Sequence, residues 1–147
     1  MAHLHSFFVH FPIALLLVAV VFDVYGAWKP QSQSTQTALY LQLIAGISAI
    51  LAAISGTQAE SALQKQEGLS SAVTDAFSIH VTLGNLTVWI IMLVTVGRIF
   101  AVLEKKSWAV QGWVFPILSI GLGILVLTTG LLGGELSHAI LQYFINN

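Results

Sequence analysis

Long apolar stretches alternate with short polar ones along this chain. No Asp, Glu, Lys or Arg occurs in residues 1–22, 30–59, 76–97 or 107–134. Each stretch reaches the roughly 20 residues that carry a helix across a hydrocarbon core of about 30 Å. The apolar positions run on without alternating, and a spanning barrel needs at least about eight strands, so strands are not expected. The pattern predicts spans near 6–27, 38–60, 77–102 and 111–134 in a single transmembrane domain over 1–147, the last span continuing as helix through Leu136–Phe144. Pro12 is expected in the first turn of its span, where a missing N–H is harmless. Asp75, after Ser70, Ser71 and Thr74, suits the N-cap of the third helix. The loop 61–76 is the one sizeable extramembrane segment. The N-terminus lacks a basic n-region and an A-x-A site, so the first span counts as structure.

Composition agrees with this picture and narrows the chemistry. Of 147 residues, 56% are hydrophobic and 7% charged, whereas a soluble domain carries about a quarter charged residues. A net charge of −1 makes no case for nucleic acid. The absence of cysteine excludes disulfides, thiol catalysis, iron–sulfur ligation and haem attachment through C-x-x-C-H. Four spans put Lys29, Arg98, Lys105 and Lys106 on one side and Lys65 alone on the other. The positive-inside rule then places the connections 28–37 and 103–110 in the cytoplasm. The expected fold is an all-α, integral membrane, four-helix antiparallel bundle with both termini outside, in a periplasm where there are two membranes. Asp23 and Arg98 are the most deeply placed charges and read as an ion pair or as snorkelling groups. Trp28, Trp108 and Trp113 suit an interfacial aromatic belt on the cytoplasmic side. Trp89, in mid-span, should pack against lipid, a partner or a cofactor.

The histidines fall on the opposite side. His10 starts the first span, His80 starts the third, His138 follows the fourth, and Glu60 closes the second. His3 and His5 lie at the same surface and read as a solvated terminus. Small residues lead inward from these positions: Ala14 on the first span, Gly46, Ala49, Ala53 and Gly56 on the second, Gly84 and Thr87 on the third, and Gly123, Gly130 and Gly134 on the fourth. Such stripes let helices approach closely. Beneath paired imidazoles they would also leave a slot for a flat cofactor.

A bis-histidine haem b fits that expectation, because imidazoles from facing helices can grip iron from opposite sides in a bundle core. His10 and His80 are the first pair. His138 is a candidate to replace either, to serve a second haem with His5, or to bond a propionate, with Lys65 as another propionate partner. A zinc or copper site from His10, His80 and His138 with Glu60 is chemically open, although no spacing selects it. No H-E-x-x-H helix, Ser-His-Asp arrangement or Gly-rich phosphate loop is present.

The segment His5-Ser6-Phe7-Phe8-Val9-His10-Phe11-Pro12-Ile13-Ala14-Leu15 resembles the opening H-P-x-x-V-H-F-P-I-A-L of domain of unknown function 2231, a family of small bacterial predicted membrane proteins. Ser55-Gly56 at the end of the second span, His80 opening the third and Gly133-Gly134-Glu135-Leu136 after the fourth fit the same pattern. The resemblance implies a four-helix protein of the bacterial inner membrane with histidines gathered at one surface, and it supplies no activity. It carries the motif histidines onto His5 and His10 and the third-span histidine onto His80, which raises His5 to a second-shell or second-haem ligand. Ser6 replaces the motif's proline. His138 stands where the family has an aromatic followed by His-Gly.

These readings combine into a membrane cytochrome-like electron-transfer subunit, an accessory or respiratory-complex component more than an enzyme in its own right. It would carry one or two haems b near the periplasmic surface, beside a quinone or a periplasmic redox protein. The cofactor-binding candidates are His5, His10, His80, His138, Ala14, Gly56, Gly84, Gly130 and Gly134. The alternatives are a cofactor-free scaffold whose small-residue stripes dock partner spans or a second copy, and a histidine-based copper- or zinc-binding membrane protein.

Overall fold

The computed structural model describes residues 2–29, 33–63, 71–106 and 112–146. They form helices α1 (Ala2–Trp28), α2 (Ser34–Leu63), α3 (Ser71–Leu103) and α4 (Val114–Asn146). Within them Phe7–Trp28, Ser34–Gln58, Val73–Leu103 and Val114–Gln142 are long and apolar enough to cross a membrane, with mean hydropathies of 2.4, 2.0, 2.3 and 2.1. At about 1.5 Å per residue each of these covers the hydrocarbon core. A helix closes its own backbone hydrogen bonds, so it can sit where no water is available to do so.

The helices overrun the stretches that hydropathy marks out, because hydropathy measures membrane thickness whereas a helix ends where its capping chemistry stops it. Asp75 is therefore no N-cap. It lies inside α3, exposed, and its carbonyl accepts the Ser78 hydroxyl. Pro12 is likewise well inside α1, not in its first turn, and is buried. It cannot donate to the Phe8 carbonyl one turn earlier. Residues 64–70, with Lys65, and Trp108 lie outside the described residues. Helix α3 ends on Lys105 in a left-handed conformation (φ 50°), with the Lys106 amide bonded to the Ala101 carbonyl and the Lys105 amide to Val102. That pair of bonds satisfies carbonyls a helix end leaves open.

Packing closes a ring: α1 lies against α2 and α4, and α3 against the same two. The centre is apolar, built from Leu16, Ala45, Ala49, Ile91, Leu122 and Val126. Small residues set the spacing there. A Cβ added to Gly130 would stand 2.9 Å from Ile13 Cδ1, and one on Gly123 would stand 3.3 Å from a Val20 methyl. Gly46 faces Ile91 and Met92. These glycines bring their helices together through side chains of the same chain. Trp89 is 75% exposed and points away from the bundle.

Below the apolar centre is a dense polar layer. Arg98 and Asp23 are 0% and 1% exposed and form a bidentate ion pair. Arg98 also donates to Gln42 Oε1 at 3.0 Å and to the Thr35 carbonyl at 2.9 Å. Ser119 donates to Asp23, and Gln42 Nε2 donates to Thr95 Oγ1 at 3.1 Å. The guanidinium lies 5.1 Å from the centre of the Phe115 ring. Every helix contributes to this layer, so the pair is an interior one and not a snorkelling arrangement. The exposed Trp28 and Trp113 belong to the same end.

Candidate functional site

Helical register sorts the histidines before any chemistry does. The buried stripe of α1 runs through Asp23, Ala19, Leu16 and Pro12 at steps of three and four. Continued toward the start of the helix it passes Val9 and reaches His5. His10 lies about 140° around the helix from His5, and it is exposed. On α3 the stripe Arg98, Thr95, Ile91, Thr87, Gly84 ends on His80. On α4 His138 stands two residues beyond the buried Leu136 and is exposed. The side chains of His3 and Glu60 lie outside the described residues.

His5 and His80 are thus the imidazoles directed into the bundle, each seated on a glycine of a neighbouring helix. The His5 ring rests on Gly56 of α2, where an added Cβ would be 3.1 Å from its Cε1. The His80 ring rests on Gly133 of α4, where the distance would be 2.7 Å.

Their hydrogen bonds define what they can do. His5 Nδ1 is 3.0 Å from the Ala52 carbonyl oxygen and 3.1 Å from Ser55 Oγ. A carbonyl can only accept, and the Ser55 hydroxyl already donates to Ala52 O at 2.8 Å. Nδ1 must therefore carry the proton, which leaves the Nε2 lone pair as acceptor or ligand. Ligating histidines are oriented in this way, with the second ring nitrogen donating to a carbonyl. His80 Nδ1 is buried and has no hydrogen-bond partner. An unsatisfied buried nitrogen costs about 1–3 kcal/mol, so a group that engages it is favoured by that amount.

Space lies one helical turn along α3 from His80. Gly84 is on the inward stripe of α3 between His80 and Thr87, yet a Cβ built on it would meet nothing within 4 Å. From Val73 to Leu86 no described side chain of α3 is buried, whereas Thr87, Ile91, Thr95, Arg98 and Ala101 are. Helix α3 is packed in at its far half and only partly buried at its histidine half, where His80 rests against α4. Below the opening, Thr87 and Thr129 share a hydrogen bond of 3.0 Å.

The other expected site residues fall elsewhere. Ala14 is exposed and lines no interior slot. Gly130 is filled by Ile13, and Gly134 is exposed with nothing within 4 Å of an added Cβ. Among the described residues, no three His, Asp or Glu gather as a metal-holding group, so His10, His80 and His138 do not form one. Sequence reasoning passed over the structural roles of Ser55 and Gly133, and of Gln42, Thr95 and Ser119. The signal for the last three was a polar side chain inside a charge-free span.

Fold and site together define a membrane protein with four helices able to span the bilayer and two inward imidazoles near one end. The chain belongs to the DUF2231 family of predicted membrane proteins, whose model matches residues 2–140. No curated protein and no solved structure matches it.

Proposed function

We propose that this protein is a membrane electron-transfer subunit that holds haem b between His5 and His80. The observation that carries the reading is the uncommitted nitrogen on each of the two inward rings, supported by the open space at Gly84 one turn along α3 from His80. The donor set suits a bis-imidazole site, and the glycine against each ring leaves room for its Cε1 end. Bound haem would supply one-electron redox chemistry. Ser55 and the Ala52 carbonyl fix the His5 tautomer, while Gly56 and Gly133 leave room for the ends of the two rings.

The residue pairs support an antiparallel bundle in a single domain: His5 meets Ser55, Ile13 meets Gly130, and Gln42 meets Thr95. The lysine and arginine bias puts the histidine end outside and the Asp23–Arg98 end in the cytoplasm of a bacterial inner membrane. A site there would exchange electrons between a quinone or membrane partner and a periplasmic redox protein. His10 and His138, on the rim, would meet propionates or partners.

Absorbance spectra of detergent-solubilised protein from haem-replete cells, oxidised and then reduced with dithionite, test this reading. A Soret band that shifts on reduction is expected, lost in His5→Ala and His80→Ala and retained in His138→Ala. Absence of the band in the wild type overturns the haem reading. Stoichiometric copper or zinc without porphyrin would transfer the same two histidines to a metal-binding role.

A further inference from the structure

The polar contacts of the two ends differ in which helices they join. At the Asp23–Arg98 end they tie the α1–α2 hairpin to the α3–α4 hairpin: Arg98 to Asp23, Gln42 and Thr35, Ser119 to Asp23, and Gln42 to Thr95. At the histidine end His5 bonds to Ala52 and Ser55 within the first hairpin. Thr87 bonds Thr129 within the second, and His80 sits on Gly133 of the same hairpin. The first buried residue of α3 past the opening is Thr87, and Gly84 above it faces free space.

We infer that the histidine site loads sideways, through the seam between α2 and α3, with the Asp23–Arg98 network as the fixed end about which the seam opens. The occupant is a planar amphiphile that dissolves in the bilayer, a porphyrin on the reading above, on which this part of the inference rests. A ring of that kind is too wide to thread the apolar plug of Leu16, Ile91, Leu122 and Val126. It can slide between two helices whose facing residues at that level, Ala53 and Gly84, are both only partly buried. One imidazole comes from each hairpin, so closing the seam brings His5 and His80 onto opposite faces of the guest. The bidentate pair and its partners hold the far end shut while this happens.

The chain contains no cysteine, so paired cysteines can be placed at will. Gln42 against Thr95 and Gly46 against Ile91 fix a register that sets Ala53 opposite Gly84, and Thr35 opposite Val102, each pair seven residues along the facing stripes from one of these contacts. Spin labels on Ala53→Cys/Gly84→Cys in the haem-free protein should give a broad distance distribution, and labels on Thr35→Cys/Val102→Cys a narrow one. Equal widths overturn the hinge whether or not haem binds. In the second arm, a short bismaleimide tie across Ala53→Cys/Gly84→Cys, made before haem is added, should slow uptake by at least about tenfold, because the tie removes the open state. The same tie at Thr35→Cys/Val102→Cys should leave uptake unchanged. Undiminished uptake through the tied seam overturns lateral loading while leaving the haem reading intact. A wild type that takes up no haem overturns the haem reading, and the spin-label arm still decides the hinge.

Discussion

The two polar layers of this bundle use their side chains in opposite ways. At the Asp23–Arg98 end a charged pair is almost fully buried, and the carboxylate, the two terminal guanidinium nitrogens, the Gln42 amide and two hydroxyls satisfy one another, with the Arg98 Nε alone in that network lacking a partner. At the other end the imidazoles are only partly buried, one presents a lone pair, and the other has a nitrogen with no hydrogen-bond partner. The first layer spends its polar groups on holding helices together. The second keeps them available at some cost in stability, as a site built to receive a guest must. An apolar solvent makes this contrast sharper than water would, since neither layer can turn to solvent for partners.

The strongest test of the contrast removes one charge. Arg98→Leu leaves Asp23 buried without its cation, and breaking a buried pair in this way costs about 3–5 kcal/mol. Unfolding in mixed detergent micelles should register that loss. Asp23→Leu/Arg98→Leu together should recover a large part of it, because no lone charge then remains inside. His80→Ala at the opposite end should change stability by less than about 1 kcal/mol, since truncation also removes an unsatisfied nitrogen. If His80→Ala proves as costly as Arg98→Leu, the histidine layer is structural and the contrast collapses.

A second comparison uses glycines. A Cβ on Gly26 would collide with Thr35 Oγ1 and stand 3.1 Å from the Thr35 backbone nitrogen, which cannot move aside. Gly26→Ala should therefore cost about 1–3 kcal/mol through overpacking. Gly133→Ala presses on the far end of the His80 ring, which can tilt. Its effect on unfolding should stay below about 1 kcal/mol, helped by the better helix propensity of alanine. Its signature should be a shifted Soret maximum or weaker haem retention. A rigid, costly Gly133→Ala would mean that the imidazole is locked as firmly as the ion pair.

Much of this was legible in the residues, and the limits have a common cause. Gaps between charges revealed four helices because a charge in hydrocarbon is expensive wherever it lies. They also identified Asp23 and Arg98 as the deep pair. Depth is a one-dimensional property, and the pattern reads it well. Which way a side chain points around its helix is a second coordinate. His10 was preferred to His5 on depth alone, although the stripe Asp23, Ala19, Leu16, Pro12 leads to His5. The same reasoning sets His138 aside, two residues past Leu136. Gly133 was harder to see. Gly130 and Gly134 make a regular stripe, and only the reach of the His80 side chain shows which neighbour serves as a seat.

The smallest effect tests where the contrast changes over, at Thr87 and Thr129. Their 3.0 Å hydrogen bond joins α3 to α4 just below the opening, and each hydroxyl has an alternative in its own helix, at the Leu83 and Leu125 carbonyls. Hydrogen bonds between membrane helices average about 0.6 kcal/mol, because the separated helices find other partners. A double-mutant cycle of Thr87→Val and Thr129→Val should return a coupling of about that size. The corresponding cycle of Gln42→Leu and Thr95→Val should return more, because that bond is fully buried whereas the Thr87–Thr129 bond is only partly so. Coupling at Thr87–Thr129 equal to that at Gln42–Thr95 would place the fixed end of the bundle one layer higher. The part of α3 free to move would then shrink to the segment above Thr87.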